Sequence, residues 1–121
     1  MTKARWKKQI EKQMEQVGTF QAAFTPTVVV LAEILEQRDR AFKDFINSGG
    51  DMVVESTSDR GAKNIKKNPR LQVWEDLNAQ ALSFWRDLGL TPAGLKKLNE
   101  LALKKEKEKS TLTEALKKLC G

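Results

Sequence analysis

The sequence contains no histidine and no tyrosine, and it has a single cysteine, Cys120. The missing histidine excludes the common Cys/His metal sites and histidine-based catalysis. One cysteine cannot form an intrachain disulfide, which fits a reducing compartment, and a catalytic thiol would lack its usual base. No glycine-rich segment ends in the Gly-Lys-Ser/Thr of a phosphate-binding loop. We therefore expect a protein that is not an enzyme and that has no cofactor and no metal site.

Long apolar runs are also missing. No run approaches the roughly 18 residues that a membrane-spanning helix needs. The basic start, Met1 to Lys8, is not followed by the apolar segment of a secretory signal. We therefore expect a cytoplasmic protein without a membrane partner. With 121 residues, one small domain is expected, and a domain of this size gains stability from oligomerisation.

Charge is unevenly distributed along the chain, whose net charge is +6. Residues 1–13 carry +4, residues 14–91 carry −2, and residues 92–109 carry +3. Such basic ends either bind a polyanion or are only solvated. If the partner is DNA, two groups of cations are candidates for contacting phosphate. They are Lys3, Arg5, Lys7, Lys8 and Lys12 in the first group, and Lys96, Lys97, Lys104 and Lys105 in the second.

The composition favours helix, and only three proline and seven glycine residues interrupt it. Apolar residues recur at helical spacing from Trp6 to Val17, and Gly18 is a plausible stop. Thr25-Pro26 and Asn68-Pro69 are each a cap followed by a proline, which predicts two long helices. We expect the first to run to about Asn47 and stop at Gly49-Gly50, and the second to end at Gly89.

The two long helices carry matching apolar rows with alternating steps of three and four. Their similar length and short connector predict an antiparallel helical hairpin. Arg38 interrupts the first row, and we expect its side chain to extend outward to solvent rather than to be buried. The rows should form a core whose flanks serve self-association. The residues assigned to oligomerisation are Val28, Leu31, Leu35, Phe42, Trp74, Leu77, Phe84 and Leu88.

The remaining segments are shorter. Residues 19–24 are a connection with Phe20 and Phe24 as anchors. Residues 51–67 combine a β-prone run with turn residues, which favours a small β-hairpin over a mobile loop. Thr91-Pro92 begins a third helix. The charge run 104–109 is either a solvated helical extension or a disordered tail, and Thr111 with Glu114 resembles a capping box that opens a last short helix.

Together these features predict a mainly α protein in three segments. Residues 1–24 form a basic N-terminal helix and linker. Residues 25–91 form the helical hairpin, which is the oligomerisation core and carries the β-prone connector 51–67. Residues 92–121 form a basic C-terminal helix and tail.

The stretch from Asn64 to Leu71, then a long helix, then Leu88-Gly89-Leu90-Thr91-Pro92, resembles the small terminase subunits of tailed bacteriophages. That family carries an Asn-Pro-x-Leu signature followed by Leu-Gly-Leu-Thr-Pro. Trp6, Phe20 and the Gly-x-x-Val turn at 50–53 agree with it, so the resemblance covers about residues 5–98. Where relatives often carry an arginine after Thr-Pro, this chain has Gly94, Leu95, Lys96 and Lys97.

The resemblance implies a protein that assembles into a cyclic homo-oligomer, with nine subunits as one candidate number. It implies binding to viral double-stranded DNA and recruitment of the large terminase subunit, the ATPase and nuclease, in the host cell cytoplasm. By analogy with related systems, the tail from Ser110 to Gly121 would meet the large subunit.

Two other readings stay open at this point. A helix-turn-helix regulator would need a polar reading helix after the Gly18–Pro26 junction, but that helix begins with Val28, Val29, Val30 and Leu31. A structural helical adaptor without a nucleic-acid role would fit the mild acidity of residues 14–91.

Overall fold

The computed structural model describes residues 1–120. Four helices and one β-hairpin follow the chain in the order α1 (Lys3–Val17), α2 (Thr25–Asn47), β1 (Val53–Thr57), β2 (Lys63–Lys67), α3 (Pro69–Asp87) and α4 (Pro92–Cys120). A short 3-10 turn, Ala22–Phe24, leads into α2. The predicted mainly α architecture with a small hairpin between helices is confirmed. Among the described residues, no helix is long and apolar enough to cross a membrane.

Local sequence signals set the ends of these helices. The hydroxyl of Thr2 accepts a hydrogen bond from the Arg5 amide, which caps α1, and Gly18 ends that helix with φ of 79°. This left-handed conformation favours glycine because a Cβ would be strained there. The side chain of Asn68 caps α3, and Pro69 follows at its first position. The predicted start of α3 and the predicted stops of α1, α2 and α3 are therefore confirmed. The predicted cap of α2 is wrong, because Thr25 is already the first helical residue and Phe24 precedes it without a side-chain cap.

Helices α2 and α3 pack against each other in opposite directions. The ring of Phe42 lies 6.0 Å from that of Trp74, measured between ring centroids. Arg38, one turn before Phe42 in α2, hydrogen-bonds Asn78, which lies one turn after Trp74 in α3. Because the contacts ascend one helix as they descend the other, the pair is antiparallel.

The core joins the first three helices. Ile10 and Met14 of α1 are fully buried, together with residues of α2 and α3. The core cluster is formed by Ile10, Met14, Val28, Leu31, Ala32, Leu35, Ala81 and Leu88. Phe24 packs on this cluster as predicted, whereas Phe20 remains 39% exposed and anchors nothing.

The β-hairpin is antiparallel, with Val53 opposite Lys67, Glu55 opposite Ile65 and Thr57 opposite Lys63. The connector 51–67 is thus a hairpin rather than a loop without structure. Asn68 fixes its base. The Asn68 side chain is buried, and its amide donates to the Asp51 carbonyl oxygen at 2.8 Å. The backbone N–H of Asn68 donates to the Met52 carbonyl oxygen at 2.9 Å.

The C-terminal segment differs from the prediction. A single helix, α4, runs from Pro92 through the charge run to Cys120, so the charge run is a solvated helical extension. The capping box at Thr111 is wrong. Its hydroxyl donates to the Lys107 carbonyl oxygen four residues earlier, at 2.9 Å, which is the bond of a threonine inside a helix. Gly121, the end of the predicted tail, lies outside the described residues.

The join between α3 and α4 depends on Gly94, the buried residue of α4. A Cβ at this position would overlap the backbone carbonyl of Arg86 at the end of α3. Glycine at this position has a structural reason, because two backbones approach each other here.

Gly94→Ala should destabilise the fold, although the same change inside a free helix stabilises by up to about 1 kcal/mol. The overlap with the Arg86 backbone should outweigh that gain and cost about 1–3 kcal/mol. Urea unfolding followed by circular dichroism measures the difference. Asn99→Ala, on the exposed face of the same helix, is the control and should be neutral or slightly stabilising. A stabilised Gly94→Ala variant would contradict the close approach.

Candidate nucleic-acid interface

Helix α1 separates its side chains onto two faces. Trp6, Ile10 and Met14 follow one another at steps of four and point into the protein. Arg5, Lys8 and Lys12 recur at steps of three and four on the opposite, exposed face. None of these three cations has an ion-pair partner among residues 1–120. The apolar stripe therefore turns a set of free cations toward solvent.

The other two predicted cations of α1 are used inside the protein. The Lys3 ammonium contacts the Glu33 carboxylate at 2.8 Å, which connects α1 to α2. Lys7 lies 3.8 Å from Glu11 within α1. Their charge is partly neutralised, so they have less to offer a phosphate. The five predicted α1 cations thus divide into three free and two paired.

Arg38 joins α1, α2 and α3 at one point. Its guanidinium lies between two indole rings, 5.6 Å from the ring centroid of Trp6 and 5.7 Å from that of Trp85. Both distances fall within the range of a cation–π interaction. It also donates to Asn78 Oδ1 at 3.1 Å and to Asp39 Oδ1 at 3.4 Å.

The expectation that Arg38 extends to solvent was therefore wrong, because its side chain is only 18% exposed. The planar guanidinium fits between rings supplied by two other helices, which the α2 sequence by itself does not reveal. An arginine that interrupts an apolar row was the available signal. Its partners Asp39, Asn78 and Trp85 were missed.

Asp39 completes this arrangement on the α1 side. Its carboxylate accepts a hydrogen bond from the Trp6 indole N–H at 2.8 Å and one from the Met1 amino group at 3.0 Å. Partial burial raises the pKa of Asp39. The bonds from Trp6 and Met1, with the positive charges of Met1 and Arg38, outweigh that effect and hold the pKa below its ordinary value.

Lys96 and Lys97 lie on the exposed side of the first turns of α4 and have no ion-pair partner in the described chain. Lys104 and Lys105 are exposed farther along the same helix. Between α1 and the start of α4 lies an open groove of about 650 Å³. Trp6, Trp85 and Leu95 line it together with three glutamines of α1, and none of its described lining residues is charged.

The residues predicted for oligomerisation occupy different positions. Val28, Leu31, Leu35 and Leu88 are buried in the core of one chain, where they stabilise the fold. Trp74, Leu77 and Phe84 are half-buried, and Phe42 is exposed. Four further apolar side chains of α2 and α3 are exposed and were not predicted, namely Val30, Ile46, Val73 and Leu82.

Phe42 and Ile46 are exposed because α1 is shorter than α2. Met1, at the start of α1, contacts Asp39, and α1 runs back from there toward the beginning of α2. The part of α2 beyond Asp39 therefore has no cover from α1. The exposed residues in the first half of α2 are Pro26, Val30, Glu33 and Gln37, and none of them is a cation that could contact DNA. This disfavours a helix-turn-helix at the Gly18–Pro26 junction.

Replacing Arg38 by lysine should lower the free energy of unfolding by about 1–2 kcal/mol, because an ammonium keeps the charge but loses the planar contact with both rings. Urea unfolding followed by tryptophan fluorescence measures this change. Arg40→Lys, two residues farther along α2 and exposed, is the matched control and should stay within about 0.5 kcal/mol of the parent. Equal effects of the two changes would show that the stacking does not contribute.

The low pKa of Asp39 also predicts an acid dependence. A carboxylate whose pKa is lowered by folding stabilises the protein above its unfolded pKa of about 3.9, and that contribution is lost as the pH falls through the folded value. The difference in unfolding free energy between the parent and Asp39→Asn should be largest near pH 6 and shrink toward pH 3. Asp44→Asn, an exposed neighbour, should show no such difference. A constant difference for Asp39→Asn would refute the assignment.

Comparison with known proteins gives one match. The family model described as "Phage terminase, small subunit" matches residues 2–108. Searches of curated proteins and of solved structures found no match. The matched span includes α1, the antiparallel helix pair, the β-hairpin and α4 through Glu108, and it ends before the last part of α4.

Proposed function

The chain belongs to the phage terminase small-subunit family, and from this premise we propose that it forms a homo-oligomeric ring that binds viral double-stranded DNA and recruits the large terminase subunit. The family places the chain in viral genome packaging. Packaging of this kind takes place in the cytoplasm of the infected host cell, which we propose as its location. The large subunit supplies ATPase and nuclease activity, and the small subunit acts by binding.

The observation that carries the DNA-binding proposal is the outward face of α1. Arg5, Lys8 and Lys12 are exposed and unpaired within the described chain, and the buried stripe of the same helix fixes their direction. Duplex DNA binds such a face by releasing counterions, so the affinity falls steeply with salt. Three contacts in each subunit give weak binding. A ring multiplies them, because each further subunit binds at a high effective concentration.

Self-association is supported by apolar side chains that the single chain leaves uncovered. Val30, Phe42 and Ile46 of α2 are exposed, as are Val73 and Leu82 of α3. Scattered apolar residues are normal on a protein surface, but five on one pair of packed helices favour a covered face. A chain of this size also gains from association because its own core is small.

A non-catalytic role is supported by the chemistry of the side chains. Without histidine, the exposed thiol of Cys120 has no imidazole to act as its base. The groove beside α1 is lined by indole, amide and aliphatic groups and by Thr91, whose hydroxyl accepts a hydrogen bond from the Gly94 N–H. None of these lining residues is an acid or a base that could activate that hydroxyl. We propose that the large subunit contacts the end of α4. There Leu112, Leu116 and Leu119 are exposed on one side of a basic helix.

We expect Arg5→Gln/Lys8→Gln/Lys12→Gln to bind duplex DNA at least 10-fold more weakly near 0.1 M salt. The slope of log affinity against log salt should also fall by about 0.9 for each phosphate that the variant no longer neutralises. Fluorescence anisotropy over a salt series measures both. Lys107→Gln/Lys109→Gln/Lys118→Gln removes the same charge from the far part of α4, outside both candidate groups, and is the control. Unchanged binding by the α1 variant, with weaker binding by Lys96→Gln/Lys97→Gln, would move the DNA-binding face to α4.

The ring proposal predicts one closed species with a mass several times the 13.7 kDa of a single chain. Native mass spectrometry and light scattering at micromolar concentration measure it, and particle images would show its symmetry. A nonamer is the stoichiometry we test first. A chain that stays monomeric would refute the ring without bearing on DNA binding, which the anisotropy experiment tests separately.

A further inference from the structure

The β-hairpin has two strand edges and no third strand in the described chain. Its sheet consists of β1 and β2 only. A two-stranded hairpin is marginally stable in water, and an unpaired edge offers N–H and C=O groups to another strand. Its apolar side chains remain uncovered, with Met52 at 69%, Val53 at 58% and Ile65 at 73% exposure. These features are typical of a hairpin whose partner is another strand.

The hydrogen-bond pattern identifies which residues form each edge. The Asn68 N–H donates to Met52 and the Ser58 N–H donates to Ala62, so these opposed pairs bond across the hairpin. Inward-bonded and outward-directed pairs alternate along an antiparallel ladder. The backbone groups of the intervening residues therefore point away from the hairpin. On β1 they belong to Val53, Glu55 and Thr57, and on β2 to Lys63, Ile65 and Lys67.

The two edges carry opposite charge. The outward residues of β1 include Glu55, and Asp51 precedes that strand. The outward residues of β2 include Lys63 and Lys67, and Lys66 lies between them. Pairing β1 with β1, or β2 with β2, would bring like charges together across the new ladder, which is destabilising. Pairing β2 with β1 brings carboxylate and ammonium groups together.

We propose that β2 of one copy pairs antiparallel with β1 of the next copy, so that neighbouring hairpins join into one continuous sheet. A contact between two different edges is heterologous, and each copy then has one acidic and one basic edge to offer. Such contacts repeat around a ring. The inference deepens the proposed self-association and rests on it, since it names the surface through which the copies meet.

The base of the hairpin supports a fixed presentation of these edges. Asn68 hydrogen-bonds both Asp51 and Met52 at the entry to β1 while it caps α3. Lys67 forms an ion pair with Glu75 in the second turn of α3. Val54 and Ser56, on the other face of β1, are half-buried. The strands are thus held to the helix pair at one end and on one face, with both edges left free.

The test uses two variants that invert one edge each. Glu55→Lys makes both edges basic, so its copies should repel one another. Lys63→Glu/Lys67→Gln makes both edges acidic, while the glutamine can still hydrogen-bond Glu75. Each variant alone should shift to a lower mass than the parent in native mass spectrometry at equal concentration. A 1:1 mixture should recover high-mass species that contain both variants, because each contact between a Glu55→Lys copy and a Lys63→Glu/Lys67→Gln copy is again between unlike edges. A ring with an odd number of copies keeps one contact between like edges, so mixed rings with an even number of copies are favoured.

Two controls separate edge pairing from net charge and from folding. Asp59→Lys changes charge as much as Glu55→Lys does, but at the hairpin turn, and should keep the parent mass. Thr57→Pro removes one outward N–H without a change of charge and should weaken assembly, whereas Thr57→Val should not. Circular dichroism shows whether each variant keeps its helix content.

The outcomes are distinguishable. A parent oligomer whose mass is unchanged in Glu55→Lys, Lys63→Glu/Lys67→Gln and Thr57→Pro would overturn the hairpin contact and leave the ring proposal intact. Separate variants that fall apart but do not recover on mixing would also overturn it. A parent chain that is monomeric would overturn the ring and the hairpin contact together. Recovery in the mixture alone, with Asp59→Lys unaffected, supports pairing of unlike edges.

Discussion

The contact of the Arg38 guanidinium with Trp6 and Trp85 connects the first three helices at one point. One residue of α2 touches a ring from α1 and a ring from α3. The surrounding hydrogen bonds to Asp39 and Asn78 leave it little rotational freedom. A buried cation of this kind is costly when a partner is missing, so a displaced α1 would expose an uncompensated charge. The rotation of α1 about its own axis follows from this contact together with the burial of Ile10 and Met14.

That rotation decides which charges remain available for binding. The cations on the α2 side of α1 meet carboxylates, as Lys3 meets Glu33, whereas Arg5, Lys8 and Lys12 face outward. The net charge of the segment does not distinguish among the five cations of α1. The core thus determines which cations of α1 face solvent. The acidic residues of α2 hold α1 in place and also lower the charge of the central segment. The same few contacts between α1 and α2 therefore stabilise the packing of α1 and determine which of its cations face solvent.

Sequence reasoning succeeded where the signal was local. Asn68-Pro69 begins a helix because a side-chain cap and a fixed φ act within a few residues, and Gly18 ends one for a similar reason. It failed where the outcome depended on distant partners. Arg38 is stacked because two other helices supply rings, and Thr111 continues a helix although its spacing to Glu114 imitates a cap. The apolar periodicity located the seams. The periodicity did not distinguish Leu35, which is buried in the core, from Phe42, which is exposed beyond the part of α2 that α1 covers. For the candidate site, composition indicated the cations of α1, and packing alone separated the free ones from the paired ones.

The second half of α4 is exposed along its whole length, unlike the first turns of the same helix, where Gly94 is buried. From Leu101 to Cys120 every side chain is exposed, and this part of α4 extends beyond the core of the protein. At 1.5 Å per residue these twenty positions reach about 30 Å. The family match stops at residue 108, within this stretch. The end of the chain can therefore be exchanged or redesigned without disturbing the folding unit, which makes it the natural place for such a protein to acquire a new docking specificity during divergence.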